Sequence, residues 1–245
     1  MNFLTEYIHQ PFPDLAVSNV NGMRFYEAPN GLKYPSITSV LGKQPDKQKG
    51  LNEWRKRVGA QQAAIISGKA ARRGTAFHQC VEDYLKNQQI NGEHKQKNFL
   101  AYHMFQESKK YLDDNIDQVV LQEQGMYSDI FKVAGRCDMI GVWNNELAVV
   151  DFKTTTTMKK REWLEDYFIL CSAYASMYEE HTGEAVDQLI IFMVAEDGQI
   201  EIFKEDTKDY LPLLDEMMES FYNNLDMKEL VAWFWDTTKY KVLTL

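Results

Sequence analysis

The chain has 245 residues, 44% of them hydrophobic and 26% charged, with 13 Gly and 6 Pro. This is the balance of an ordinary globular protein, and it excludes a collagen-like, low-complexity or wholly disordered chain. At about one and a half times a common domain length, residues 1–245 read as a single domain. No apolar run approaches the roughly 20 residues of a membrane helix; the longest, Leu189 to Ala195, is strand-sized. The first residues lack the basic start and cleavage site of a signal peptide. The expectation is therefore an intracellular, cytoplasmic protein with no membrane partner. Cys80, Cys137 and Cys171 are odd in number and far apart. They suit a reducing compartment and supply neither a disulfide framework nor an iron–sulfur cluster.

A net charge of -9 argues at first against nucleic acid, but the distribution is uneven. Between Lys43 and Arg73 nine Lys and Arg stand against Asp46 and Glu53, so this stretch is +7 and the rest of the chain -16. A basic stretch on an acidic body is either a phosphate footprint or the solvated face of helices.

Residues 1–42 form a β-rich N-terminal segment. Arg24–Glu27 and Leu32–Tyr34 flank the turn signal Ala28-Pro-Asn-Gly31, and Ser36 suits a helix N-cap. Residues 43–115 read as a helical extension. Leu51, Trp54, Val58, Ala64 and Ile65 mark one apolar face, and Phe77, Val81, Tyr84 and Leu85 another. Phe99 to Tyr111 gives a further helix after Asn91-Gly92. Residues 116–206 form a sheet core, with strands at Val119–Gln122, Val133–Trp143, Leu147–Thr154, Leu189–Val194 and Ile200–Lys204. A helix runs from Arg161 to Glu180, stopped by Thr182-Gly183. Its stripe Trp163, Tyr167, Leu170, Tyr174 and Met177 reads as core. Residues 207–245 are acidic and helical over 208–235. The fold class is α/β, bordering on α+β: a central mixed sheet with flanking helices.

Candidate chemistry lies in the hairpin at 135–154. Asn144-Asn145 suits a two-residue turn, because Asn tolerates positive φ. Pairing Trp143 with Glu146 then places Asp138 opposite Asp151 on one face, about 5 Å apart at Cβ. Lys153 shares that face by the strand period, and Phe152 points to the core. A β-bulge would shift this register. Two adjacent carboxylates are satisfied by magnesium or manganese, or neutralised by Lys153 and Arg136 as a structural cluster. Upstream, His78 and Glu82 stand i, i+4 on one helix face. Gly74, in the same helical pattern, marks either a close approach or a helix start.

Together, Gly74-Thr-Ala-Phe-His78, Gly135-Arg-Cys-Asp138, Asp151-Phe-Lys-Thr154 and an aromatic-rich helix with Ala173-Tyr174 resemble the PD-(D/E)XK nucleases of the RecB type. The likeness is nearest to the mitochondrial genome maintenance exonucleases and related phage exonucleases, and covers roughly residues 20–205. The resemblance implies a restriction-endonuclease-like core and a metal-dependent DNA exonuclease with one or two Mg2+ or Mn2+ ions. His78, Asp138, Asp151 and the Phe152 carbonyl would be ligands, with Glu82 joining through water or a second ion. Asp151, Asp138 and Lys153 would be catalytic, Lys153 positioning the attacking water and stabilising phosphate charge. Tyr174 matches the tyrosine of the family's Gln-x-x-x-Tyr motif, but Leu170 stands where the Gln is expected. Products would carry 5′-phosphates.

Under this reading Arg55, Arg57, Lys69, Arg72 and Arg73 hold DNA phosphates, with Tyr174 at the edge of the DNA site. Trp54 and Phe77 are candidates for base stacking, with core packing their ordinary role. The partner would be single-stranded or free-ended DNA, the protein a monomer, and the setting repair, replication or recombination, including in a phage. Two other functions stay open: a DNA-binding module on a degenerate nuclease fold, and a structure-specific endonuclease. No Gly-x-Ser-x-Gly elbow or phosphate-loop motif is present.

Overall fold

The computed structural model describes residues 3–5 and 12–225. Its centre is a mixed six-stranded sheet in the order β1-β5-β6-β7-β8-β9. The strands are β1 (Leu4–Thr5), β5 (Ile116–Ser128), β6 (Val133–Trp143), β7 (Glu146–Thr155), β8 (Gln188–Ala195) and β9 (Ile200–Asp206). β7 and β8 are parallel and joined through helix α6 (Glu165–Thr182); β5, β6 and β7 are antiparallel neighbours. The four later strands each begin within one residue of the expected start. The apolar run of β8 buries both faces, with no exposed residue at all, whereas β9 at the sheet edge is half-buried to exposed.

Helices cover both faces. α3 (Ala60–Leu85) and α5 (Phe99–Asn115) pack on one, through Phe77, Val81, Leu85, Met104 and Phe105 against Met139, Val150 and Phe152. α6, α1 (Ile37–Lys43) and α7 (Thr207–Asn223) cover the other, where Ile37, Phe168, Tyr174 and Leu214 meet Ile140, Val149 and Ile191. A separate three-stranded sheet of β2 (Ala16–Val20), β3 (Met23–Glu27) and β4 (Lys33–Pro35) is the expected N-terminal β element. Ser36 caps α1, its hydroxyl accepting from Ser39 N–H. α4 (Gly92–Lys97) starts at the Asn91 cap. The C-terminal helix expected over 208–235 is described only to Asn223; residues beyond 225 lie outside the described set.

Three expectations are corrected. α2 (Pro45–Val58) buries no residue, and Ala64 and Ile65 at the start of α3 are exposed. The apolar spacing there is helical, but among the described residues that face is only half covered: Leu51, Trp54 and Val58 are half-buried. Trp163 lies on a 3₁₀ turn (Arg161–Trp163) ahead of α6 and is 61% exposed, whereas Leu170, Tyr174 and Met177 are buried as expected. Gly74 is mid-helix, so it is not a helix start; a Cβ there would meet only Thr154 Oγ1, at 3.8 Å.

Candidate active site

The Asn144-Asn145 turn forms as its sequence requires, with both residues at positive φ (49° and 66°). The predicted register holds from Trp143↔Glu146 through Met139↔Val150 and stops there. Asp138 is therefore not paired with Asp151 across the ladder. Cys137 packs on the α6 side of the sheet and Met139 on the α3 side, although two residues apart in a regular strand share a face. Asp138 sits at this change of side, and its Oδ2 accepts a hydrogen bond from Phe152 N–H at 2.9 Å. A carboxylate thus takes the position of a backbone acceptor at the edge of β7.

The neighbouring strand is irregular at the same level. Gln122↔Met139 and Gln124↔Cys137 pair on either side of Glu123, which places Glu123 opposite Asp138. Glu123 has a left-handed φ of 48°, an uncommon conformation for a residue with a side chain. On the facing helix, His78 Nδ1 lies 3.5 Å from Asp138 Oδ2 and 3.9 Å from Glu123 Oε1. Ligand-capable atoms of His78, Glu123 and Asp138 all lie within 4.8 Å of one another, and all three residues are partly buried. This group can bind a metal ion.

Glu123 is the residue sequence reasoning missed. Its signal would have been a polar side chain in the strand preceding the hairpin, but nothing in that strand's spacing marks it. Glu82, expected to share a face with His78, instead pairs with Lys86 one turn on. The i, i+4 spacing is real, and Glu82 lines the same cavity as Glu123 and Arg136, but it pairs with Lys86 and stays outside the His78 group.

Asp151 and Lys153 do share a face. Their side chains form an ion pair, with Asp151 almost fully buried. Burial pushes the Asp151 carboxyl up to about 6 against the opposing pull of Lys153. Burial works to lower Lys153, but Asp151 and Asp138 outweigh it and hold the ammonium above the ordinary lysine range. The ammonium also lies 5.2 Å from the centre of the Tyr167 ring. Phe152 is buried on the opposite face, its ring 5.8 Å from that of Phe192. For His78, burial pulls the imidazole down, while Asp138 and Glu123 more than compensate and leave it above its usual value.

The donor chemistry fits a divalent cation. Three carboxylates stand against two cations, the buried Lys153 ammonium beside Asp151 and the exposed Arg136 guanidinium 4.0 Å from Glu123, so the site still carries excess negative charge when His78 is neutral. Oxygen donors with one imidazole suit manganese or magnesium more than a thiolate-seeking metal. All three cysteines are buried and free.

The basic residues divide. Arg55 and Arg57 on α2, with Lys69 and Arg72 on α3, are exposed. Arg73 is buried and committed: its guanidinium donates to Thr154 Oγ1 (3.2 Å), the Thr154 carbonyl (3.3 Å) and Thr156 Oγ1 (3.3 Å), and pairs with Glu196. It fastens α3, five residues from His78, to the end of β7 that carries Asp151 and Lys153. It is not available to a phosphate. Tyr174 is likewise buried, against Gly135, where a Cβ would come within 2.7 Å of its ring. It supports β6 from behind rather than facing DNA. Leu170 is core, 5% exposed, so packing fills the position where the nucleases it resembles in sequence carry Gln.

No family model matches the chain, and no curated protein sequence does. Among solved structures, the chain is similar to a Eubacterium rectale protein described as "Putative exonuclease". The TM-score is 0.42 at 12% identity, over 63% of this chain and 69% of the other. It is also similar to the protein SSO0001, with a TM-score of 0.28 at 10% identity, over 70% of this chain and 96% of that one. No helix among the described residues is long and apolar enough to cross a membrane.

Proposed function

We propose that this protein is a divalent-metal-dependent nuclease of the PD-(D/E)XK type, an exonuclease hydrolysing single-stranded or free-ended DNA to 5′-phosphate products. The observation that carries the reading is the convergence of His78, Glu123 and Asp138 beside the buried Asp151–Lys153 pair. The sequence resemblance had singled out four of these five residues.

His78, Glu123 and Asp138 would hold Mg2+ or Mn2+, with Asp151 and the Phe152 carbonyl adjoining. When bound, the ion supplies Lewis acidity and a lowered pKa for water. The chain's own residues do the rest. Lys153, held protonated by Asp151, offers positive charge to the phosphate oxygens as charge builds on them. Asp151 fixes the ammonium and Tyr167 shields it, so it meets substrate already oriented. Phe152 N–H and His78 hold Asp138 from two sides. Arg73 keeps α3 and β7 in register, so His78 faces the sheet at a constant distance. Arg55, Arg57, Lys69 and Arg72 supply exposed positive charge for the DNA backbone.

The test is a time course on a linear single-stranded oligonucleotide labelled separately at each end, with Mg2+, with Mn2+ and with EDTA. Wild-type protein should cleave only with metal, and Lys153→Ala should not. Covalently closed single-stranded circles should survive. Cutting of the circles would favour an endonuclease, and metal-independent inertness with retained DNA binding would favour a non-catalytic binding module.

A further inference from the structure

The turn between β7 and α6 carries an arrangement that the metal site does not use. Thr156 to Leu164 leads away from Lys153 and contains Lys159, Lys160, Arg161 and Trp163 in quick succession. Two residues tie the turn to the rest of the fold. Arg161 pairs with Glu205, contacts the Tyr210 hydroxyl and lies 4.5 Å from the centre of the Phe168 ring. Leu164 is fully buried. With both flanks anchored, Trp163 is held outward at 61% exposure, and the Lys160 ammonium stands 5.7 Å from the indole and 3.7 Å from the carboxylate of Glu162, an exposed surface pair that a phosphate can displace.

One helical turn further on, Tyr167 joins this surface to the catalytic lysine. Its hydroxyl accepts from Lys159 Nζ at 2.7 Å, and its ring lies 4.8 Å from Lys159 and 5.2 Å from Lys153. Tyr167 thus lies between Lys153 and Lys159, and the next residue, Lys160, stands beside Trp163.

An exposed indole alone says little. An indole fixed on an anchored turn, among lysines whose line ends at Lys153, has a specific chemical use. The rings take the flat faces of bases and the ammonium groups take phosphates, as on single-strand binding surfaces. A duplex keeps its bases stacked internally and cannot offer them to Trp163. We infer that Trp163, with Lys160 and Lys159, is a base-stacking platform that selects unpaired nucleic-acid strand and leads it toward Lys153. The inference rests on the nuclease reading only for the direction of the strand, because stacking itself needs no catalysis.

The experiment measures binding in EDTA, so that cleavage plays no part. Fluorescence anisotropy compares a short labelled oligothymidylate with an abasic oligomer of equal length, which keeps the phosphates and lacks the bases. Trp163→Ala should weaken binding to oligothymidylate about tenfold, the typical worth of one base–aromatic stack. Its affinity for the abasic oligomer should be unchanged. Trp163→Phe should retain most of the wild-type affinity, and the exposed position should leave the unfolding midpoint where it was. Equal binding of oligothymidylate by Trp163→Ala and wild type would overturn the platform, even if metal-dependent cleavage is confirmed. So would equal losses on both oligomers, or no single-strand binding by wild type. A base-dependent loss in a protein that never cleaves would uphold the platform and remove the nuclease reading.

Discussion

The Phe152 backbone N–H donates to the Asp138 carboxylate at 2.9 Å, where the β6–β7 ladder has just ended. One side chain therefore closes the sheet's hydrogen bonding and presents its remaining lone pairs toward His78. A charged acceptor satisfies the amide better than a neutral one. Asp138→Ala should remove a ligand and leave this partly buried N–H without its acceptor. The expected result is loss of at least tenfold in Mn2+ affinity and about 1–2 kcal/mol of stability. Calorimetric titration and urea denaturation would measure the two effects separately.

Glu123 and Glu82 make a discriminating pair. Glu123 stands within the ligand group, whereas Glu82 is tied to Lys86 on the helix surface. Glu123→Gln should weaken Mn2+ binding about tenfold, and Glu82→Gln should leave it within about twofold, since an exposed i, i+4 pair contributes little. Titration of both variants decides which glutamate serves the site.

Metal binding should strengthen as pH rises through neutrality. The carboxylates of Asp138 and Glu123 hold His78 above its usual value, so a proton competes with the ion for the imidazole. In metal-free protein the sign is opposite. A raised histidine contributes stability that is fully present below its unfolded value of about 6.5 and is lost as pH rises through the folded value. His78→Gln should flatten both dependences, read as Mn2+ affinity and as unfolding midpoint between about pH 6 and 8.

Arg73 should behave as a structural residue. Arg73→Ala empties a buried fork of three threonine oxygens and unpairs Glu196, and should cost about 2–3 kcal/mol. Arg73→Lys should recover little of that, because an ammonium cannot span the same acceptors. By contrast, Arg72→Ala, one residue earlier and exposed, should leave stability unchanged and lower affinity for single-stranded DNA. Thermal melts and a salt-dependent binding series separate the two roles.

Gly135→Ala should destabilise by about 1–3 kcal/mol. A Cβ there would stand 2.7 Å from Tyr174 Cε1 and 3.1 Å from Ile37 Cγ2, between side chains with no room to retreat. Leu170→Gln should cost a similar amount, since it buries an amide in a position lined by apolar groups. On the nuclease proposal, introducing that amide should therefore not raise activity, as an activity and denaturation comparison would show.

By itself, the sequence determined the four later strands of the central sheet, the Asn144-Asn145 turn, the Ser36 cap and the common face of Asp151 and Lys153, but only the middle of the long β5. These depend on interactions a few residues apart: a period of two, a tolerated positive φ, a hydroxyl three positions from an amide. The regular hairpin register was legible for the same reason. What only the tertiary structure decided lies where separate elements meet. Glu123 joins His78 and Asp138 because two strands are irregular at one level and a helix crosses over them. No spacing in the chain encodes that meeting. Arg73 read as surface chemistry from its motif, yet it is buried because the end of a strand, far off in sequence, waits for it. Trp163 read as core from its helical period. It is exposed because Arg161 and Leu164 anchor the turn inward and leave the indole the outer side.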